Sequence, residues 1–88
     1  MYRENYETKF DFLKVKIPEF LRIAAKNSSE EYFIFAFNAV HNMVIAGMYE
    51  NTLGVKEVKE LLDICMDVFE DQMRINFGKE ATEDDIFD

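Results

Sequence analysis

The chain has no tryptophan, and its 88 residues include only one cysteine, one histidine, one proline and three glycines. Each scarcity removes a class of protein. With Cys65 alone no disulfide can close within the chain, whereas small secreted domains are normally stapled by several, so a cytoplasmic protein is expected. With one thiol and one imidazole, His41, a structural zinc site lacks its nitrogen and sulfur donors, and no metal or other cofactor is expected. There is no glycine-rich phosphate loop, no Ser-His-Asp set and no cysteine beside a histidine, so catalysis is not expected. Positive charge is scarce as well. Ten Lys/Arg stand against eighteen Asp/Glu, a net charge of −8, and the imbalance is uneven. Residues 1–27 hold six Lys/Arg and four Asp/Glu (+2), while residues 28–88 hold four and fourteen (−10). Phosphate backbones are bound by clustered Lys and Arg that displace counterions, so direct nucleic-acid binding is not expected. A basic protein partner, or simple solubility, is the expectation that fits this charge.

What the chain does have is apolar bulk, 49% of its residues, with nine Phe and four Tyr. A domain this small buries only about 60–65% of the surface that its unfolded form exposes. Each buried aromatic removes roughly 150–250 Å² from water, so a few supply a core. The opening, Met1 to Glu7, mixes charges where a secretory signal has an apolar stretch. Tyr32 to Tyr49 runs eighteen residues without a formal charge, the lower limit for a bilayer-spanning helix. Asn38, His41 and Asn42 sit in its middle, and its flanks are Glu30, Glu31 and Glu50 with no Lys/Arg bias. These favour a core helix of a soluble protein, with no membrane partner.

The apolar spacing predicts an all-α protein, a small three- or four-helix bundle, with no strand pattern and no internal repeat. In the first segment, Tyr2 to about Asn27, Tyr6, Phe10, Leu13, Ile17, Phe20 or Leu21, and Ala24 recur at spacings of three and four. Pro18 interrupts that stripe, so the segment is read as broken or bent there, with Pro18 opening a second helix. Ser28 and Glu31 have the spacing of a capping box, which starts a helix from about Ser29 to Glu50. Asn51-Thr52-Leu53-Gly54 is a turn signal. A last helix runs from about Val55 to Phe77, with Val58, Leu61, Leu62, Cys65, Phe69 and Met73 on one face and Gly78 just past its end. Residues 1–78 thus form one helical domain, and 79–88 a flexible acidic tail.

Three features are candidates for function. On the central helix Phe33, Ala36, Phe37, Val40, Val44 and Gly47 make an ordinary core stripe, but the other face is not the polar surface of an amphipathic helix. It carries Phe35, Asn38, His41, Asn42, Ile45 and Tyr49, apolar rings interleaved with amides. That mixture suits either a helix packed on both sides or a self-association face, with a homodimer as the favoured oligomer. On the last helix Glu60, Asp63, Asp67, Glu70 and Asp71 share a side, either as a solvated face or as a docking strip for a basic partner. In the tail, Ile86 and Phe87 interrupt an acidic run, either as a solubilising tail whose two apolar residues fold back on the bundle or as a motif that a partner orders. Glu57-Val58-Lys59-Glu60 matches in letters the Glu-x-x-Glu with which all-helical pyrophosphohydrolases hold Mg²⁺. No second acidic pair faces it from the central helix, so a metal-dependent hydrolase is only a remote alternative.

The expected function is therefore a small acidic protein-binding module that docks on a basic surface of a larger protein. Inhibitors, antitoxins, immunity proteins and phage-encoded modulators share this size and charge. The alternative is a self-assembling structural or assembly-chaperone component with no basic target.

Overall fold

In a computed structural model, residues 8–79 are described, and they form three α-helices and no strand. Helix α1 spans Lys9–Asn27, α2 spans Glu30–Tyr49 and α3 spans Val55–Phe77. Short connections turn the chain back twice, so α1 and α3 run together and α2 runs against both. Cross-links at the ends fit this order. Lys9 Nζ at the start of α1 donates to Thr52 Oγ1 after α2, at 2.9 Å, and Lys79 Nζ after α3 reaches Glu30 Oε1 at the start of α2, at 2.8 Å.

The helix ends have local causes. Thr8 Oγ1 accepts from the Asp11 N–H at 3.1 Å and opens α1. At α2 the capping serine is Ser29, not Ser28: its Oγ accepts from the Tyr32 N–H at 3.2 Å. Ser28 instead closes α1, because only two residues separate the helices and each must serve one end. After α2, Asn51 adopts the left-handed conformation, φ 62°, and the N–H groups of Thr52 and Leu53 both donate to the Gly47 carbonyl. This folds Leu53 into the core against Gly47, where an added Cβ would stand 2.6 Å from Leu53 Cδ1. Gly78, φ 64°, ends α3, with its N–H donating to the Arg74 carbonyl and that of Lys79 to the Met73 carbonyl.

There is no break at Ile17–Pro18, and α1 is a single helix with Pro18 inside it. Proline removes one backbone hydrogen bond and crowds the carbonyl four residues back, at a cost of about 3 kcal/mol. The stripe of Leu13, Ile17, Leu21 and Ala25 is buried on both sides of Pro18, and fully burying a Leu or Ile gives about 1.5–3 kcal/mol. Three such side chains, with Ala25 beside them, outweigh one proline, and they remain in phase only while the helix continues.

The core lies between the three helices. From α2 come Phe33, Phe37, Val40 and Val44, and from α3 Val58, Leu61, Cys65, Val68, Phe69 and Met73. Phe69 is its centre: its ring stacks on Phe33 at 5.2 Å and meets Phe37 at 4.3 Å between centroids. Leu62, which the spacing places on the α3 stripe, is only half-buried. No charged or polar side chain is buried among the described residues.

Candidate functional site

Three helices cover only one side of α2. Its buried set is Phe33, Ala36, Phe37, Val40, Val44 and Gly47, and no described residue of α1 or α3 covers the side facing away. Double-sided packing of this helix is therefore not what the bundle does. The outward residues include large rings beside the amide Asn42: Tyr32 and Phe35 are each 67% exposed and Tyr49 is 78% exposed. The rings of Tyr32 and Phe35 meet edge-on at 6.2 Å, so the pair is held as a unit.

The six residues singled out from sequence divide by depth. Phe35, Asn42 and Tyr49 are exposed, whereas Asn38, His41 and Ile45 are half-buried. The His41 ring lies 5.7 Å from that of Phe37, and burial lowers its pKa below the usual 6.5. Sequence reasoning missed Tyr32, Ala39 and Ala46, which are also exposed on the outward side. The signal was available as a count: Tyr32, Phe35, Ala39, Asn42, Ala46 and Tyr49 follow one another at intervals of 3, 4, 3, 4 and 3, the a/d spacing of a coiled coil. All six are exposed.

Beside this seam, α1 and α2 part to leave an open apolar cavity of about 220 Å³, lined by Leu13, Lys16, Ile17, Phe20, Val40 and Met43. Phe20 and, a turn later, Ile23 are exposed on α1, and Met43 is exposed on α2. By length and composition α2 is also able to cross a bilayer, with a mean hydropathy of 1.2. In the fold its Phe33, Phe37 and Val44 are fully enclosed by the bundle.

The acidic residues of α3 all remain in water. Glu60, Asp63, Asp67, Glu70 and Asp71 are exposed, and the ion pairs involve only the two ends of the row. Lys14 of α1 reaches Glu60 at 3.1 Å, and Arg74 reaches Asp71 at 2.7 Å on the same helix. Asp63, Asp67 and Glu70 have no cationic partner among the described residues. Lys16 pairs with Glu19 on its own helix, so it does not neutralise α3.

The remaining candidates have structural duties. Glu57 Oε1 accepts from the Gly54 N–H at 2.9 Å and caps α3, while Glu60 is held by Lys14. Both carboxylates of the Glu-x-x-Glu letters are thus engaged. Among the described residues no three His, Cys, Asp or Glu side chains converge to hold a metal ion. Cys65 is fully buried, and burial pushes its thiol up to about 11, which keeps it protonated and unreactive at neutral pH. Ile86 and Phe87 lie outside the described residues. No protein-family model, no curated protein and no solved structure matches this chain.

Proposed function

We propose that the protein is a binding module, not a catalyst, and that the acidic row of α3 docks on a basic surface of a larger protein. The observation that carries this reading is the middle of the row. Asp63, Asp67 and Glu70 are exposed, unpaired among the described residues, and three or four positions apart. Like charges at that spacing weaken a helix by a few tenths of a kcal/mol per pair. A surface shaped only for solubility relieves this with interspersed Lys and Arg. Over Glu60 to Asp71 the row is about 16 Å long at 1.5 Å per residue, long enough to face a basic groove or helix. Partnering by charge also steers encounter, which suits an inhibitor, antitoxin, immunity protein or phage-encoded modulator that must find its target quickly.

The test is capture from nuclease-treated lysate of the source cell or its host, with the tagged chain and a triple variant, Asp63→Asn, Asp67→Asn and Glu70→Gln. One basic protein should be retained by the native chain, released as salt rises from about 50 to about 500 mM as screening shortens, and lost with the variant. Capture that survives both the salt and the variant overturns this reading.

A further inference from the structure

We infer that the outward face of α2 pairs with the same face of a second copy, antiparallel, to form a two-fold dimer. Four observations point to this occupant.

The first is the spacing. Tyr32, Phe35, Ala39, Asn42, Ala46 and Tyr49 form a continuous exposed stripe at a/d intervals, the pattern by which one helix seats knobs into holes of another. The second is self-complementarity. With the two-fold axis between Val40 and His41, Tyr32 faces Tyr49 of the second copy, Phe35 faces Ala46, and Ala39 faces Asn42, each layer occurring twice. Large meets small in the inner layers, so the helices stay evenly spaced. A parallel pair sets Phe35 on Phe35 and Ala39 on Ala39, which leaves gaps beside the rings and aligns the helix dipoles unfavourably.

The third is charge. The molecule carries −8, yet no Asp, Glu, Lys or Arg stands between Tyr32 and Tyr49. Two acidic copies repel less through an uncharged helix face than through a charged one. A lipid surface fits less well, because Glu30, Glu31 and Glu50 end the stripe where a membrane-surface helix carries Lys or Arg. The fourth is area. At ~200 Å² per aromatic side chain, the exposed parts of Phe20, Tyr32, Phe35 and Tyr49 offer roughly 500 Å². Ile23, Ala39, Met43 and Ala46 extend this toward the ~800 Å² per partner of a standard specific interface.

The pairing uses none of the α3 carboxylates, so it stands or falls apart from the basic-partner proposal. Salt separates the two as well. The dimer brings Glu31 near Glu50 of the second copy, so it tightens with salt, whereas basic docking weakens.

The experiment is sedimentation of the full chain at about 100 μM, a concentration at which even a micromolar dimer is nearly complete. The expected mass is twice the 10.4 kDa of one chain, retained at about 500 mM salt. Ala39→Glu, at an exposed site in the single chain, should keep the helical spectrum and weaken the dimer at least about a hundredfold, because it buries two carboxylates at the axis. Orientation is read with a short bis-maleimide. Ala46→Cys alone should not cross-link, since the two sites lie about 16 Å apart along the axis, eleven residues at 1.5 Å. Mixed with Phe35→Cys it should give a covalent pair. A monomeric native chain, a dimer indifferent to Ala39→Glu, or ready cross-linking of Ala46→Cys alone each overturns the proposal. So does a monomeric chain that floats with phosphatidylcholine vesicles, which assigns the face to lipid.

Discussion

Residues of similar appearance in the sequence meet different fates through a few ångströms of depth. Cys65 is on the α3 stripe and is enclosed completely, which holds its thiol near 11. A thiol reagent at neutral pH should therefore label it only through opening of the core, at a rate that rises with urea in step with global unfolding. Fast labelling in the absence of urea is incompatible with that burial. His41 is only half-buried, and desolvation lowers its pKa from 6.5. The sign follows from linkage: the unfolded chain takes up this proton first as pH falls, so the contribution is whole above about 6.5 and declines below it. Urea midpoints at about pH 7.5 and about pH 5.5 should fall more for the native chain than for His41→Gln. Equal falls would assign the pH dependence to other groups.

The helices themselves were legible where the apolar period was clean. The α2 core stripe is buried at every position that the spacing names, and the ends at Gly78 and around Asn51 lie where glycine and turn residues foretell them. At Pro18 local steric rules leave a break and a bend both open. The apolar phase of Leu13, Ile17, Leu21 and Ala25 runs through the proline, and one continuous helix buries all four. The cost of that proline persists in the folded chain. Pro18→Ala restores a backbone hydrogen bond in an α1 that is already helical on both sides. It should add about 2 kcal/mol, part of the ~3 kcal/mol penalty being offset by a freer unfolded chain. For a domain of this size that is roughly 10 °C in Tm by calorimetry. A lower Tm would mean that the proline is not strained where it stands.

At the scale of the whole molecule, charge is unevenly spread over the helices: α3 carries the row of exposed carboxylates, α1 most of the lysines, and α2 no charge between Tyr32 and Tyr49. Only Lys14–Glu60 and Lys79–Glu30 link charges between elements among the described residues, and both are exposed pairs worth at most about 1 kcal/mol each. Net repulsion at −8 is therefore poorly compensated within the chain. Raising NaCl from about 20 to about 500 mM should raise Tm by a few degrees as that repulsion is screened. Mg²⁺ at matched ionic strength should give no additional rise, because Glu57 caps α3 and Glu60 is bound to Lys14. A specific Mg²⁺ increment would revive the hydrolase alternative.

The elements were written locally: the period of the apolar residues, the glycine at the end of α3 and the lack of alternating apolar residues are matters that neighbouring residues settle among themselves. The sequence also determined that charge would lie on one side of α3, since a row of carboxylates cannot be buried unpaired. Tertiary packing alone settles whether the second face of α2 is covered. The spacing already puts Phe33 on the core stripe and Phe35 on the other face, but not whether anything packs on Phe35, which stays 67% exposed. That depends on how many helices are present and at what angle they close, so the exposed seam from Tyr32 to Tyr49 is a property of the assembled bundle.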